Sequence, residues 1–107
     1  MTTKIRFSYG DKDYCLEYTK ASVKRMEDRG FSPTRILEAP VTYLPELFAG
    51  AFYANHPYIN RKIVEDIFEQ MKGRKELVST LLQMYNEPVN ALTDEADEGN
   101  GIEWTKE

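Results

Sequence analysis

The sequence predicts an α+β fold that is mostly α: an N-terminal β-hairpin, then four to five short helices, then a disordered acidic C-terminal tail. Three observations carry this. Apolar residues alternate with polar ones over the first eighteen positions, the period of a half-buried strand. From Thr19 to Leu92 they recur at i, i+3, i+4 instead, punctuated by Gly and Pro. From Thr93 onward the chain reads TDEADEGNGIEWTKE, a composition that buries too little apolar surface to offset its own ordering entropy. The domain division that follows is residues 1–92 for the hairpin and helices, and 93–107 for the tail.

In the hairpin, Ile5, Phe7 and Tyr9 form one apolar set and Tyr14, Leu16 and Tyr18 the other. Placing both on one face suggests pairing Tyr9 with Tyr14, Phe7 with Leu16 and Ile5 with Tyr18. That leaves Gly10 opposite Asp13 and Asp11-Lys12 at the tip. On the outer face Lys4 or Arg6 lies near Glu17, with Cys15 among polar neighbours. Two strands alone are marginal, so the hairpin must lean on helices.

Thr19 is placed to cap a helix that runs to about Arg29, faces Val23 and Met26 inward and stops at Gly30. Ser32-Pro33 reads as a cap followed by proline at the first helical position, opening a short helix that ends before Pro40. Thr42 precedes Leu44, Leu47, Phe48, Ala51 and Phe52, the stripe of a helix whose other side, with Tyr43, Gly50, Tyr53 and Ala54, is also apolar. Such a helix belongs at the centre. Asn55-His56-Pro57 breaks it. Asn60 caps the next helix, with Ile63, Val64, Ile67, Phe68 and Met71 opposite a charged face. Lys72-Gly73-Arg74 is a turn, and Leu77, Val78, Leu81, Leu82 and Tyr85 mark the last helix. Pro88 should stop or kink it, with Val89 and Leu92 adding a last turn.

At 107 residues the chain fits one domain. Its net charge is -4, but the tail holds six acids (Asp94, Glu95, Asp97, Glu98, Glu103, Glu107) against Lys106, a net of -5, so residues 1–92 carry +1. An acidic surface repels phosphate, which argues against nucleic acid as a partner. No apolar run approaches the roughly 20 residues that span a bilayer, so no membrane is expected, and the polar start does not resemble a signal peptide. The lone Cys15 excludes an internal disulfide and a multi-cysteine zinc site. A soluble intracellular protein is the expectation.

Nothing in the sequence assembles into catalytic chemistry. His56 is the one histidine and lies in a loop without a Ser or Cys partner at useful spacing, which favours a structural role. Cys15 lies mid-strand with nothing arranged to lower its pKa. Glu65, Asp66 and Glu69 interleave with Arg61 and Lys62 as a solvated helix face with pairs such as Arg61–Glu65. Asp94, Asp97 and Glu98 lack the positional grammar of a calcium loop, and the glycines form no phosphate cradle. The chain is therefore expected to be no enzyme and to need no cofactor or metal. Seven tyrosines and a tail tryptophan stand out. Tyr43, Tyr53, Tyr58 and Tyr85 fall near helix ends or loops, where a ring end stays wet, and tyrosine is favoured at protein interfaces. Ile102 and Trp104 are spaced like alternate strand positions. They are either incidental to an unstructured end or an acidic-aromatic segment that docks on a partner. The candidate partner-binding residues are thus Tyr43, Tyr53, Tyr58, Tyr85 and Trp104, with the open hairpin edge as a further contact for a partner or another copy.

The opening IRFSYGDKDYCLEYTKASVKRMEDRGF, the stretch PVTYLPELFAGAFYANHPYI and the helix pair ending LLQMYNEPVNAL together resemble the tail assembly chaperones of long-tailed bacteriophages and prophages. The likeness covers about residues 3–92. It implies a non-enzymatic protein of the bacterial host cytoplasm that binds the tape-measure protein, keeps its apolar helices soluble, recruits tail-tube subunits and is absent from the finished virion. It also implies, for many members, a longer frameshifted form. A small phage-encoded regulator or inhibitor of a host protein remains an alternative, as does a structural connector or tail-completion protein of the virion.

Overall fold

Gly10 sets the hairpin. The computed structural model describes residues 3–93 and 101–106. Strands β1 (Ile5–Tyr9) and β2 (Lys12–Leu16) pair antiparallel with Ile5 opposite Leu16, Phe7 opposite Tyr14 and Tyr9 opposite Lys12. The expected register is therefore wrong by two residues, and the tip is Gly10-Asp11 rather than Asp11-Lys12. The reason is backbone chemistry: Gly10 has φ +63° while Asp11 stays negative, the pattern of a two-residue loop with glycine in its first central position. A two-residue shift preserves which face each side chain occupies. Tyr14 and Leu16 are accordingly buried, with Ile5, Phe7 and Tyr9 half-buried against the same core. The outer face carries Ser8 hydrogen-bonded to Asp13 at 2.5 Å and Lys4 paired with Glu17 at 3.6 Å.

Five helices follow. Thr19 caps α1 (Lys20–Asp28) through a reciprocal box: its hydroxyl accepts from the Ser22 N–H, and its own N–H donates to the Ser22 hydroxyl. Val23 and Met26 are buried as expected. In α2 (Pro33–Glu38), Pro33 opens the helix but Ser32 makes no side-chain cap; its hydroxyl turns to Thr34 instead. Helix α3 (Pro40–Gly50) begins at Pro40, two residues before the expected Thr42, because proline at the first position needs no donor and has its φ preset. It tightens at its end into i→i+3 bonds from Ala51, Phe52 and Tyr53, so Phe52 sits one turn beyond the helix and not on it.

Asn60 caps α4 (Arg61–Gln70), its side chain accepting from Lys62 N–H at 2.8 Å. Val64 and Ile67 are buried, but Ile63 is 39% exposed and does not join the core face assigned to it. After Gly73, α5 (Arg74–Asn90) runs through Pro88 rather than stopping there. Pro88 lacks only the N–H for the Met84 carbonyl, and the turn beyond is held by Ala91 N–H donating to Glu87 at 3.0 Å. Residues 94–100 and 107 lie outside the described residues, and with them most of the segment expected to be disordered. Residues 101–106 belong to no helix or strand and are exposed.

The core joins Leu16, Tyr18, Leu47, Phe48, Phe52, Ile67, Leu81 and Met84, all under 2% exposed. Phe52 is its hub. It meets Phe7, Tyr14 and Phe48 edge-on at 6.4, 5.9 and 5.2 Å, the arrangement that ring quadrupoles favour. Tyr18 donates its hydroxyl to the Leu47 carbonyl at 2.6 Å, satisfying one of the orphan acceptors at the end of α3. Burial, with the neighbouring Tyr85 second, holds that hydroxyl well above the ordinary tyrosine range. Gly50 lets α1 approach α3: a methyl group there would run into the Met26 side chain, itself buried.

The edge of β2 is covered at Cys15 and Glu17. Glu17 N–H donates to the Ala51 carbonyl at 3.1 Å, Cys15 N–H to His56 Nε2 at 3.1 Å, and Asn55 Nδ2 to the Cys15 carbonyl at 3.2 Å. The open edge expected of the hairpin is therefore closed along β2 at Cys15 and Glu17 and remains along β1. Arg6 and Ser8 on the β1 edge, and Asp13 on the β2 edge, have outward backbone groups without a partner among the described residues.

Truncating Phe52 to Ala is expected to cost about 3–5 kcal/mol in denaturant unfolding, the range for a core Phe. An unchanged midpoint would overturn its place as the hub.

Candidate partner-binding surfaces

The five sequence-derived contact residues fall in four different environments. Tyr85 is 2% exposed, packed edge-on against Tyr18 and Phe31 at 5.5 Å each. It is a core residue, and its assignment to a contact surface is corrected. It lies four residues after Leu81 on the inner stripe of α5, and burial raises its hydroxyl pKa, with Glu27 adding to the effect. Tyr58 is 96% exposed, in the turn before α4. Trp104 is 83% exposed and Ile102 93%. Tyr43 and Tyr53 are half-buried and come together.

They meet in a groove of about 270 Å³ between α1 and the α3 end, floored by Met26 and Phe31 and flanked by Arg29, Tyr43, Glu46 and Tyr53. Arg25 on α1 and Arg29 at its C-cap, four residues apart, both stand over the Tyr53 ring, at 4.2 and 5.8 Å. Arg29 also donates to the Tyr53 hydroxyl at 3.3 Å. Arg35 of α2 does the same for Tyr43, 5.8 Å from its ring and 3.5 Å from its hydroxyl. Such contacts are each worth about 0.5–1 kcal/mol at an exposed site, enough to orient the rings without removing them from solvent. The acid of the groove, Glu46, is held by Arg61 at 2.7 Å. Arg61 thus pairs more closely with Glu46 than with its own-helix neighbour Glu65 at 4.0 Å.

Two further residues escaped the sequence. Leu37 is 87% exposed and Val41 91%. Helix α2 has six residues and buries none of them fully. With Ile36 half-buried against the core, Leu37 next to it on a helix points elsewhere, and so short an element shows no period to betray this. On the other flank of α3, a second groove of about 300 Å³ is lined by Pro45, Phe48, Val64 and Phe68 under a rim of Arg61, Glu65 and Glu69.

A model of the family described as a domain of unknown function, DUF5055, matches residues 1–107. The chain belongs to that family. No curated protein and no solved structure matches it.

In this DUF5055 chain the histidine is a structural group. His56 Nε2 accepts the Cys15 N–H, and its ring packs edge-on against Tyr14 at 5.1 Å and Phe52 at 6.2 Å. An accepting Nε2 requires the neutral ring with its proton on Nδ1. Desolvation, helped by the Lys12 cation, accordingly lowers the imidazole pKa from its ordinary 6.5. Cys15 is half-buried beside it. Among the described residues no three His, Cys, Asp or Glu side chains gather as a metal site, and no helix is long and apolar enough to cross a membrane.

Because the folded pKa lies below the unfolded one, the His56 contribution is whole above pH 6.5 and is lost as the pH falls through the folded value. The DUF5055 domain should therefore lose melting temperature between about pH 7 and pH 5. His56→Gln, which keeps an acceptor but does not titrate, should flatten that slope. Superimposable profiles of the two proteins would remove His56 from the edge of β2 in solution.

Proposed function

We propose that this DUF5055 protein is a non-catalytic assembly protein, a tail assembly chaperone of the kind its sequence resembles, acting in the cytoplasm of a bacterial host. Its partners on this reading are the tape-measure protein, whose long apolar-striped helices need cover before assembly, and tail-tube subunits. The observation that carries the proposal is the corner between α2 and α3, where Leu37 and Val41 stand almost wholly in solvent. The same chain buries Leu16, Leu47 and Leu81 completely. Covering a Leu or Val side chain is worth about 1.5–3 kcal/mol. One such corner holds a partner weakly, and many copies along one helix hold it firmly. The α3–α4 groove adds a hole fit for a single apolar side chain of a passing helix, with charges at its rim to set orientation. Multiple shallow contacts of this type suit a surface that must release its client.

Co-expression with a helical fragment of the tape-measure protein from the same genome tests this. The fragment should turn from insoluble to soluble and co-purify with several copies of the chain, while mass spectrometry of finished particles finds none. Leu37→Ser with Val41→Ser should reduce the recovered complex at least tenfold with an unchanged melting temperature, about 1.4 kcal/mol or more of binding. A fragment that stays insoluble defeats the chaperone reading, and a chain found in the particle makes it a virion component instead.

A further inference from the structure

We infer that the groove between α1 and α3 is a receptor for the Ile102–Glu103–Trp104 segment of a second copy of this chain. The groove offers an apolar floor in Met26 and Phe31, two tyrosine walls, and the guanidiniums of Arg25, Arg29 and Arg35 around the mouth. Its own carboxylate, Glu46, is already paired with Arg61, and among the described residues Arg25, Arg29 and Arg35 form no salt bridge. Such a site selects one chemistry: a flat aromatic side chain flanked by carboxylates. The aromatic ring gains tyrosine and thioether contacts, and the carboxylates gain forked guanidinium hydrogen bonds.

The chain itself carries that ligand. Trp104 and Ile102 are 83% and 93% exposed, Glu103 lies between them, and residues 93–107 carry -5 against +1 for residues 1–92. A volume of about 270 Å³ admits one indole, and the cationic, aromatic lining separates this ligand from the apolar stripe of the helical client. Both large side chains of the segment stand in solvent rather than in the groove of their own chain, and the receptor we assign to them is the groove of a neighbouring copy. Each chain gives a segment and offers a groove, so the contact closes as a reciprocal dimer or a ring where the rotation between copies permits and otherwise runs on as an open chain. The inference is independent of the Leu37–Val41 corner.

Trp104 is the one tryptophan, so intrinsic emission reports on it alone. Over a dilution series of the full chain, sedimentation velocity should show monomers giving way to larger species as concentration rises. Trp104 emission should shift to shorter wavelength in step. Trp104→Ala and Arg29→Glu should each stay monomeric with unchanged melting temperature. Mixed, the first supplies an intact groove and the second an intact segment, so the pair should form a 1:1 dimer and go no further. Leu37→Ser with Val41→Ser should leave all of this untouched. Three results would overturn the inference: a short-wavelength emission in the monomer at every dilution, which means docking on the same chain; solvent-like emission at every concentration; or oligomers that persist in Trp104→Ala.

Discussion

The fold depends on how a two-stranded hairpin is kept from standing alone. Two strands bury one face at most and are marginal by themselves. Here Phe52 fills the space under the strands, and the segment that carries it also lies along the edge of β2, taking its backbone groups at Glu17 and Cys15. Ring and edge come from one stretch of chain, residues 51–56. Hairpin and α3 are therefore a single unit, sealed from the other side by the Tyr18 hydroxyl on the Leu47 carbonyl. Helices α4 and α5 close the core against that unit through Ile67, Leu81 and Met84.

Much of this was legible in the sequence because periodicity encodes faces. The alternation over residues 5–18 named the buried face of the hairpin correctly while missing its register, since a shift of two leaves every face in place and only the φ of Gly10 decides between the two. Thr19, Asn60 and Gly73 act where their local chemistry placed them. What failed was tertiary. Pro88 is tolerated because its missing donor costs a single bond near a helix end. Tyr85 misled through its hydroxyl: it lies on the Leu77–Leu81 stripe, and its ring counted for more than its polar tip. Ile63 fell on the margin of an apolar stripe whose centre is Val64 and Ile67.

The contact surfaces divide in the same way. Tyr43 and Tyr53 were visible as aromatic residues at the ends of apolar segments, but the arginines over them come from α1 and α2, and no local spacing links Arg35 to Tyr43 or Arg25 to Tyr53. Leu37 left no trace because six residues of α2 are fewer than two helical turns, and Val41 falls in the first turn of α3, ahead of the apolar stripe read from Leu44 onward. Membership of DUF5055 covers the whole chain and speaks to common descent. The chemistry has to be argued from the surfaces, since folds host many functions. Those surfaces are cationic and aromatic on one flank of α3, and apolar with a mixed-charge rim on the other.

The close approach of α1 to α3 at Gly50 has a consequence for the history of the chain. Position 50 has no room for a methyl group because Met26 occupies the space, so the two positions are not free to drift separately. A side chain at residue 50 requires the thioether end of Met26 to swing aside, or residue 26 to shorten with it. The two helices also form the walls of the arginine–tyrosine groove, so the same coupling fixes its width. Descendants of this chain can retune the groove by exchanging the residues along its mouth far more readily than by spreading its walls.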